Sequence, residues 1–131
     1  MSLNDPIAQM LCSIKNASKA KHATVVIPFS RVKHALLNVF ESRGYVGNIE
    51  VVGDKKKNLV VTLRYNSDGK PAYKVMKRVS KLGCRRYVKR DEIRPLRQGA
   101  GVTILSTPKG IMTDADAKKT GVGGEMICAI W

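Results

Sequence analysis

Between Ser106 and Glu125 the chain gathers hydroxyls, glycines and one carboxylate suited to hydrogen-bond chemistry. The order is Ser106-Thr107-Pro108-Lys109-Gly110, then Thr113-Asp114, then Gly121-Val122-Gly123-Gly124-Glu125. Hydroxyls both donate and accept hydrogen bonds, and glycines let a backbone come close to a ligand. The same residue types also build ordinary turns. On residue type alone, the stretch is either a set of turns or a surface that a ligand approaches closely. Other chemistries find little support. His22 and His34 stand twelve residues apart, and there is no CxxC pair, so the usual zinc spacings are missing. There is no GxxxxGK[ST] loop, no GxGxxG after a strand and no GxSxG around Ser106. Nothing in the sequence calls for catalysis, a metal or a cofactor.

The ligand class is set by charge. The chain has 131 residues, with 24 Lys and Arg against 10 Asp and Glu, a formal net charge of +14. A soluble domain needs only about 2 to 8 charges in magnitude, so the excess implies a polyanionic partner, nucleic acid or an anionic membrane surface. Residues 70–97 hold eleven basic residues against Asp91 and Glu92, and residues 1–64 hold ten against four acids. Residues 98–131 hold Lys109, Lys118 and Lys119 against Asp114, Asp116 and Glu125, a net charge of zero. Lys and Arg contacts to phosphate attract nucleic acid and position a protein on it without reading sequence. A neutral tail that touches nucleic acid must do so through hydroxyls, amides and close packing. Tyr73 and Tyr87 interleave with the basic residues of 70–97, where aromatic and guanidinium planes can stack on unpaired bases. Both tyrosines also fit a core. Lys55-Lys56-Lys57 reads as a charged hairpin tip.

The elements that must position these residues follow from period and caps. Asp5 and Pro6 open a helix carrying Ile7, Met10, Leu11 and Ile14. Thr24 to Ile27 is a short β-branched run stopped by Pro28. Ser30 caps a second helix with Val32, Leu36, Val39 and Phe40, ended by Gly44. Strands are expected at Tyr45 to Val52 and Leu59 to Tyr65, with Leu59, Val61, Leu63 and Tyr65 on one face. This α-β-α-β-β order places two helices against one face of a small sheet. Asn66 to Pro71 has linker composition. Beyond it, strands are expected at Tyr73 to Met76, Arg86 to Val88, Val102 to Leu105 and Glu125 to Ile130. A short helix runs from Asp114 to about Thr120, capped by Thr113 and ended by Gly121. The fold class is α+β with two small domains, residues 1–65 and a mainly β domain at 73–131, joined by a linker at 66–72. Three widely spaced cysteines fit reduced thiols in the cytoplasm rather than a disulfide framework. Cys12 and Cys128 sit among apolar residues and read as small core side chains; Cys84 in its basic stretch reads as a bystander. No segment approaches the about 20 apolar residues of a bilayer span, and the start lacks the basic and apolar regions of a signal peptide.

The closing segment Ser106 to Asp114, with Ala117-Lys118, Val122-Gly123-Gly124-Glu125, Ile127-Cys128 and Trp131, resembles the signature of the bacterial small-subunit (30S) ribosomal protein S8 family. Asp5-Pro6-Ile7-Ala8, Met10-Leu11 and Ile14-Lys15-Asn16-Ala17 resemble its first helix. Pro28, Ser30, Arg31 and Lys33 fit the start of its second. Arg78-Val79-Ser80-Lys81, Gly83 and Arg86-Tyr87-Val88 fit its middle. The chain departs from the family pattern at Leu82, where proline is usual, at Ser13 and Lys15, and at Pro108, where serine or threonine is common. The resemblance implies a non-enzymatic, cytoplasmic ribosomal protein that binds the central domain of 16S rRNA early in 30S assembly. It also implies neighbours such as ribosomal proteins S5 and S12 and, in some bacteria, repression of the protein's own operon through a mimicking messenger RNA.

Under that resemblance Ser106 and Thr107 address sugars and base edges, Pro108 stiffens the loop, and Lys109 and Gly110 complete it. Gly123 and Gly124 would allow close approach to RNA, or simply form the turn after the short helix. Glu125 would accept from a base amino group or a 2′-hydroxyl, or orient the serine loop. Tyr87 would stack on a sugar or base. Lys81, Arg86, Lys109, Lys15 and Lys21 are phosphate candidates, and Arg31 is a further contact. Asn16 is either an RNA contact or a cap of the first helix, and Ser30 reads as a helix cap.

Overall fold

The computed structural model describes residues 5–81 and 83–131; the departure at Leu82 lies outside them. The chain divides into two units, Gln9–Tyr73 and Lys74–Trp131 together with the described part of Met1–Ala8. The architecture is α+β with two antiparallel sheets.

The first unit takes its shape from caps and alternation. Helix α1 (Pro6–Lys19) starts where the Asp5 carboxylate accepts from the Ala8 amide at 3.1 Å. It buries Met10, Leu11, Ile14, Ala17 and Ser18. Cys12 falls off that stripe and is exposed, so the core role expected of it is not met. Asn16 lies inside α1, so it is no cap. Ser30 Oγ accepts from the Lys33 amide at 3.1 Å and opens α2 (Arg31–Ser42), which buries Leu36, Leu37 and Phe40. Strands β1 (Thr24–Pro28), β2 (Val46–Val52) and β3 (Asn58–Leu63) form a sheet of order β1-β3-β2. Leu59, Val61 and Leu63 alternate inward as the pattern requires, and α2 packs on β2.

The second unit is a five-stranded sheet. Its path runs β4 (Met76–Arg78), β8 (Gly124–Ile130), β6 (Val102–Thr107) and β7 (Gly110–Thr113), and β5 (Tyr87–Val88) also pairs with β8. The expected strand at Tyr73 to Met76 is displaced to Met76–Arg78; its lysine and arginine disguise a segment that pairs Lys77 with Ala129. β7, a strand that no expected element covers, has a last residue, Thr113, that doubles as the cap of α3 (Asp114–Thr120) by accepting from the Asp116 amide. Gly121 ends α3 in the left-handed conformation at φ 81°. Two 3₁₀ turns, Arg90–Glu92 and Leu96–Gly99, occupy the basic stretch before β6. Along β6, Ile104 pairs with Cys128 but Leu105 pairs with Met126, so Ile127 is an extra residue bulged from β8. Its carbonyl is used, accepting from Arg78 Nη1 at 2.6 Å and the Val79 amide at 2.9 Å. Arg78 Nε also meets the Asp5 carboxylate at 3.2 Å.

Candidate nucleic-acid interface

Strand register assembles the site. Tyr87 on β5 pairs with Glu125 on β8, and Glu125 pairs with Ser106 on β6. Paired residues of adjacent strands point to one face, so a tyrosine, a carboxylate and a serine lie in a row across three strands. Tyr87 is 69% exposed, and Ser106 is also exposed, with no side-chain hydrogen bond to any described residue. The other face of the same strands is apolar: Leu105 and Met126 pack with Ile93, Ala117, Val88, Met112 and Val122.

The hydroxyls of Ser106 and Thr107 are not equivalent. Thr107 Oγ1 donates to the Gly110 carbonyl at 2.7 Å and accepts from the Lys109 amide at 3.2 Å. Its single proton is therefore committed to closing the β6–β7 hairpin. Pro108 and Lys109 form the exposed tip, and Gly110, at φ 114°, takes a conformation that side-chain-bearing residues avoid.

Gly123 and Gly124 are required by the protein's own backbone. A Cβ on Gly124 would collide with the Ser106 carbonyl oxygen, stand 2.9 Å from its carbon and 3.1 Å from Thr107 Cα. A Cβ on Gly123 would collide with the Val88 carbonyl oxygen and stand 2.9 Å from the Arg90 nitrogen. At both glycines the protein's own backbone comes close.

Glu125 is matched by a residue that sequence reasoning passed over. Arg85 Nη1 meets Glu125 Oε2 at 2.9 Å, and Glu125 keeps 20% of its side chain exposed. Hydrogen bonding to Glu125, then its charge, raises the Arg85 pKa further. The row therefore carries a carboxylate whose charge is matched by Arg85. Only the register of β5 on β8 brings the two together; adjacency to Arg86 in sequence hid the difference. Arg86 itself is exposed, with its backbone clasped by Ser80, whose buried hydroxyl accepts from the Arg86 amide at 2.8 Å and donates to its carbonyl at 3.1 Å. Lys81 bridges Cys84 in the same small loop and is exposed. Of the two interleaved tyrosines, Tyr73 is half-buried, and desolvation raises its pKa.

The remaining candidates belong to the other unit. Lys15, Asn16 and Arg31 are exposed on α1 and α2. Lys21 is tied down: it ends α1 at φ 61°, its ammonium donates to the Gly69 carbonyl, and it stands 5.7 Å from the centre of the Tyr65 ring. Among the described residues no cluster could hold a metal, and no helix is long and apolar enough to cross a membrane.

Residues 5–131 match the family described as Ribosomal protein S8. The chain belongs to the ribosomal protein S8 family. Full-length relatives of this family include proteins of Geobacter metallireducens, Dictyoglomus thermophilum and Chloroflexus aggregans, at 48%, 47% and 44% identity, each covering 100% of both chains. Each is named small ribosomal subunit protein uS8. Within the S8 family chain described here, the signature residues Ser106 and Gly124 meet in the β6–β8 contact that also sets the exposed row.

Proposed function

We propose that this S8 family chain is a non-enzymatic, structural component of the 30S subunit in the cytoplasm. It binds the central domain of 16S rRNA directly and supports subunit assembly. The observation that carries the reading is the exposed row Tyr87–Glu125–Ser106, held in register by β5, β8 and β6. An RNA helix offers a shallow minor groove lined by 2′-hydroxyls, and irregular helices add unpaired bases. The free Ser106 hydroxyl suits a sugar or base edge, and the Tyr87 ring suits stacking. Pro108, Lys109 and Gly110 at the hairpin tip extend that contact. Lys81 and Arg86, with Lys15, Lys21 and Arg31 of the other unit, supply phosphate attraction, and Asn16 is a further RNA contact on α1. Contacts with ribosomal proteins S5 and S12, and repression of its own operon messenger RNA, belong to the same reading by resemblance.

The test is Ser106→Ala, alone and with Tyr87→Ala, assayed on a central-domain 16S rRNA helix and on a random-sequence RNA of equal length. Stacking on an aromatic ring is worth about 1–3 kcal/mol per base, so losing Tyr87 weakens cognate binding by about 5- to 150-fold. Binding to random RNA persists, and the melting temperature of Ser106→Ala is unchanged. Equal losses on both RNAs refute the proposal.

A further inference from the structure

The residues that alternate with the row build a different surface on the reverse of the sheet. Val88 follows Tyr87, Leu105 precedes Ser106 and Met126 follows Glu125, so these three point to the opposite face. The bulge at Ile127 lies beyond them and leaves that alternation intact. Together with Ile93 they line a cavity of about 350 Å³. Thr103, two residues before Leu105 on β6 and half-buried, lines it as well.

Two carboxylates and one guanidinium complete the lining: Glu92, Asp114 and Arg94. Asp114 is only 6% exposed, yet it has no cationic partner among the described residues. Each of its oxygens accepts from one backbone amide, Oδ2 from Leu96 at 3.3 Å and Oδ1 from Ala115 at 3.0 Å. A carboxylate can accept about four hydrogen bonds, so about half of that capacity is unspent. Glu92 is exposed and accepts from the Lys89 amide at 3.2 Å. Arg94 is exposed too and forms an ion pair with neither acid. The cavity is therefore net negative in a chain that carries +14. A buried carboxylate is costly unless a cation or several donors answer it.

That combination selects the occupant. An apolar wall takes a methylene stem, and a carboxylate beside it takes a planar fork of N–H donors; arginine supplies both. Phosphate is repelled by the same two acids. We infer that the cavity receives an arginine side chain from a basic protein, docked on the face opposite the exposed row. The inference rests on sheet register and charge, and it stands apart from the RNA reading of the row. It gives Asp114 a second use besides joining α3 to the turn at Leu96–Gly99.

The experiment titrates the full chain, labelled with nitrogen-15, with two acetylated and amidated tripeptides, leucine-arginine-leucine and leucine-citrulline-leucine. Citrulline keeps the shape of arginine and loses the charge. The arginine peptide shifts the amide signals of Leu96 and Ala115, the two donors to Asp114, and leaves that of Lys109 at the hairpin tip in place. The citrulline peptide binds about 10-fold more weakly or worse, because a hydrogen bond between charged groups is worth about a factor of ten or more. Asp114→Asn causes the same loss with the arginine peptide, and Glu92→Gln costs about 2- to 5-fold, as suits an exposed partner. Thr103→Tyr fills the cavity, keeps both carboxylates and abolishes binding. If Asp114→Asn fails to fold, the citrulline comparison on the wild-type chain still decides. A central-domain 16S rRNA hairpin leaves the arginine peptide bound. Equal affinity for the two peptides, unmoved Leu96 and Ala115 signals, or displacement of the peptide by the hairpin overturns the inference. So does guanosine moving the same two amides as far as the arginine peptide does, which would assign the cavity to an unpaired base. Preference for the hairpin over random RNA is read separately; its absence refutes the row and leaves the peptide result standing.

Discussion

Gly124 separates two explanations of the same signature. If the glycine exists for RNA to approach, Gly124→Ala harms binding and spares the fold. The strand packing supports the other explanation. The new methyl would face the Ser106 carbonyl, with its carbon at 2.9 Å and Thr107 Cα at 3.1 Å, where carbon pairs are at ease near about 3.5–4.0 Å. The obstructing atoms are backbone in a paired strand, so β6 and β8 must separate by more than half an ångström or the pairing must break. Overpacking of this kind costs about 1–3 kcal/mol, and rigid strand backbone puts Gly124→Ala near the top of that range. With an unfolding entropy of about 2.1 cal/mol/K per residue, a loss of 2–3 kcal/mol over 131 residues lowers Tm by about 7–11 °C. Gly83→Ala is the control, since its Cβ meets nothing within 4 Å and its φ is unexceptional. Thermal unfolding followed by circular dichroism reads both variants. A Gly124→Ala protein that melts with the wild type yet loses RNA preference would refute the packing argument and return the glycine to the RNA.

Other expectations follow from the same contacts. Thr107→Val removes two local hairpin hydrogen bonds and lowers stability by about 1–2 kcal/mol in urea titration, whereas Ser106→Ala shifts it by less than about 0.5 kcal/mol. Asp5→Ala strips both the α1 cap and the partner of Arg78, whose side chain is only 10% exposed; the loss should reach about 3–5 kcal/mol by urea titration, and Asp5→Ala/Arg78→Met should recover part of it. Burial pushes the Cys128 thiol up to about 12 from 9.0. Its folded pKa is raised, so the stability it contributes is complete below pH 9 and is lost between 9 and 12, by about 1.4 kcal/mol per pH unit; Cys128→Ala should flatten that part of the stability–pH curve. Arg85→Gln should weaken cognate RNA binding by uncovering the Glu125 charge, and Arg85→Gln/Glu125→Gln should restore much of it in filter-binding titrations.

Local signals made the helices legible. Asp5, Ser30 and Thr113 each cap the helix they were expected to cap, because a cap is written in one side chain and its spacing to an amide. The inward face of β3 was legible for the same reason. Strand β7 was not, since four residues between a turn and a helix cap carry too little alternation. Cys12 misled because apolar neighbours in sequence are not neighbours on a helix. At the interface, the residue types were legible, but their division of labour was not. That Thr107 spends its proton on its own hairpin, that Gly124 answers to Ser106, and that Arg85 rather than Arg86 meets Glu125 all depend on cross-strand register. Register is fixed by long-range pairing, and here it also shifts at Ile127.

The same bulge bears on how the chain survives before it meets its partners. Where β8 bulges, its outer edge passes from one short strand to another: β4 covers it with three residues and β5 with two. Long, flat, unpaired edges recruit strands from other molecules, and very short, charged ones do not. Lys77 and Arg78 lie on one of these stubs, and in the other unit the edge strand β1 ends in Pro28, which has no amide proton to offer a newcomer. Splitting a seven-residue edge into two fragments thus leaves, on that side of β8, only short stubs for a foreign strand to extend.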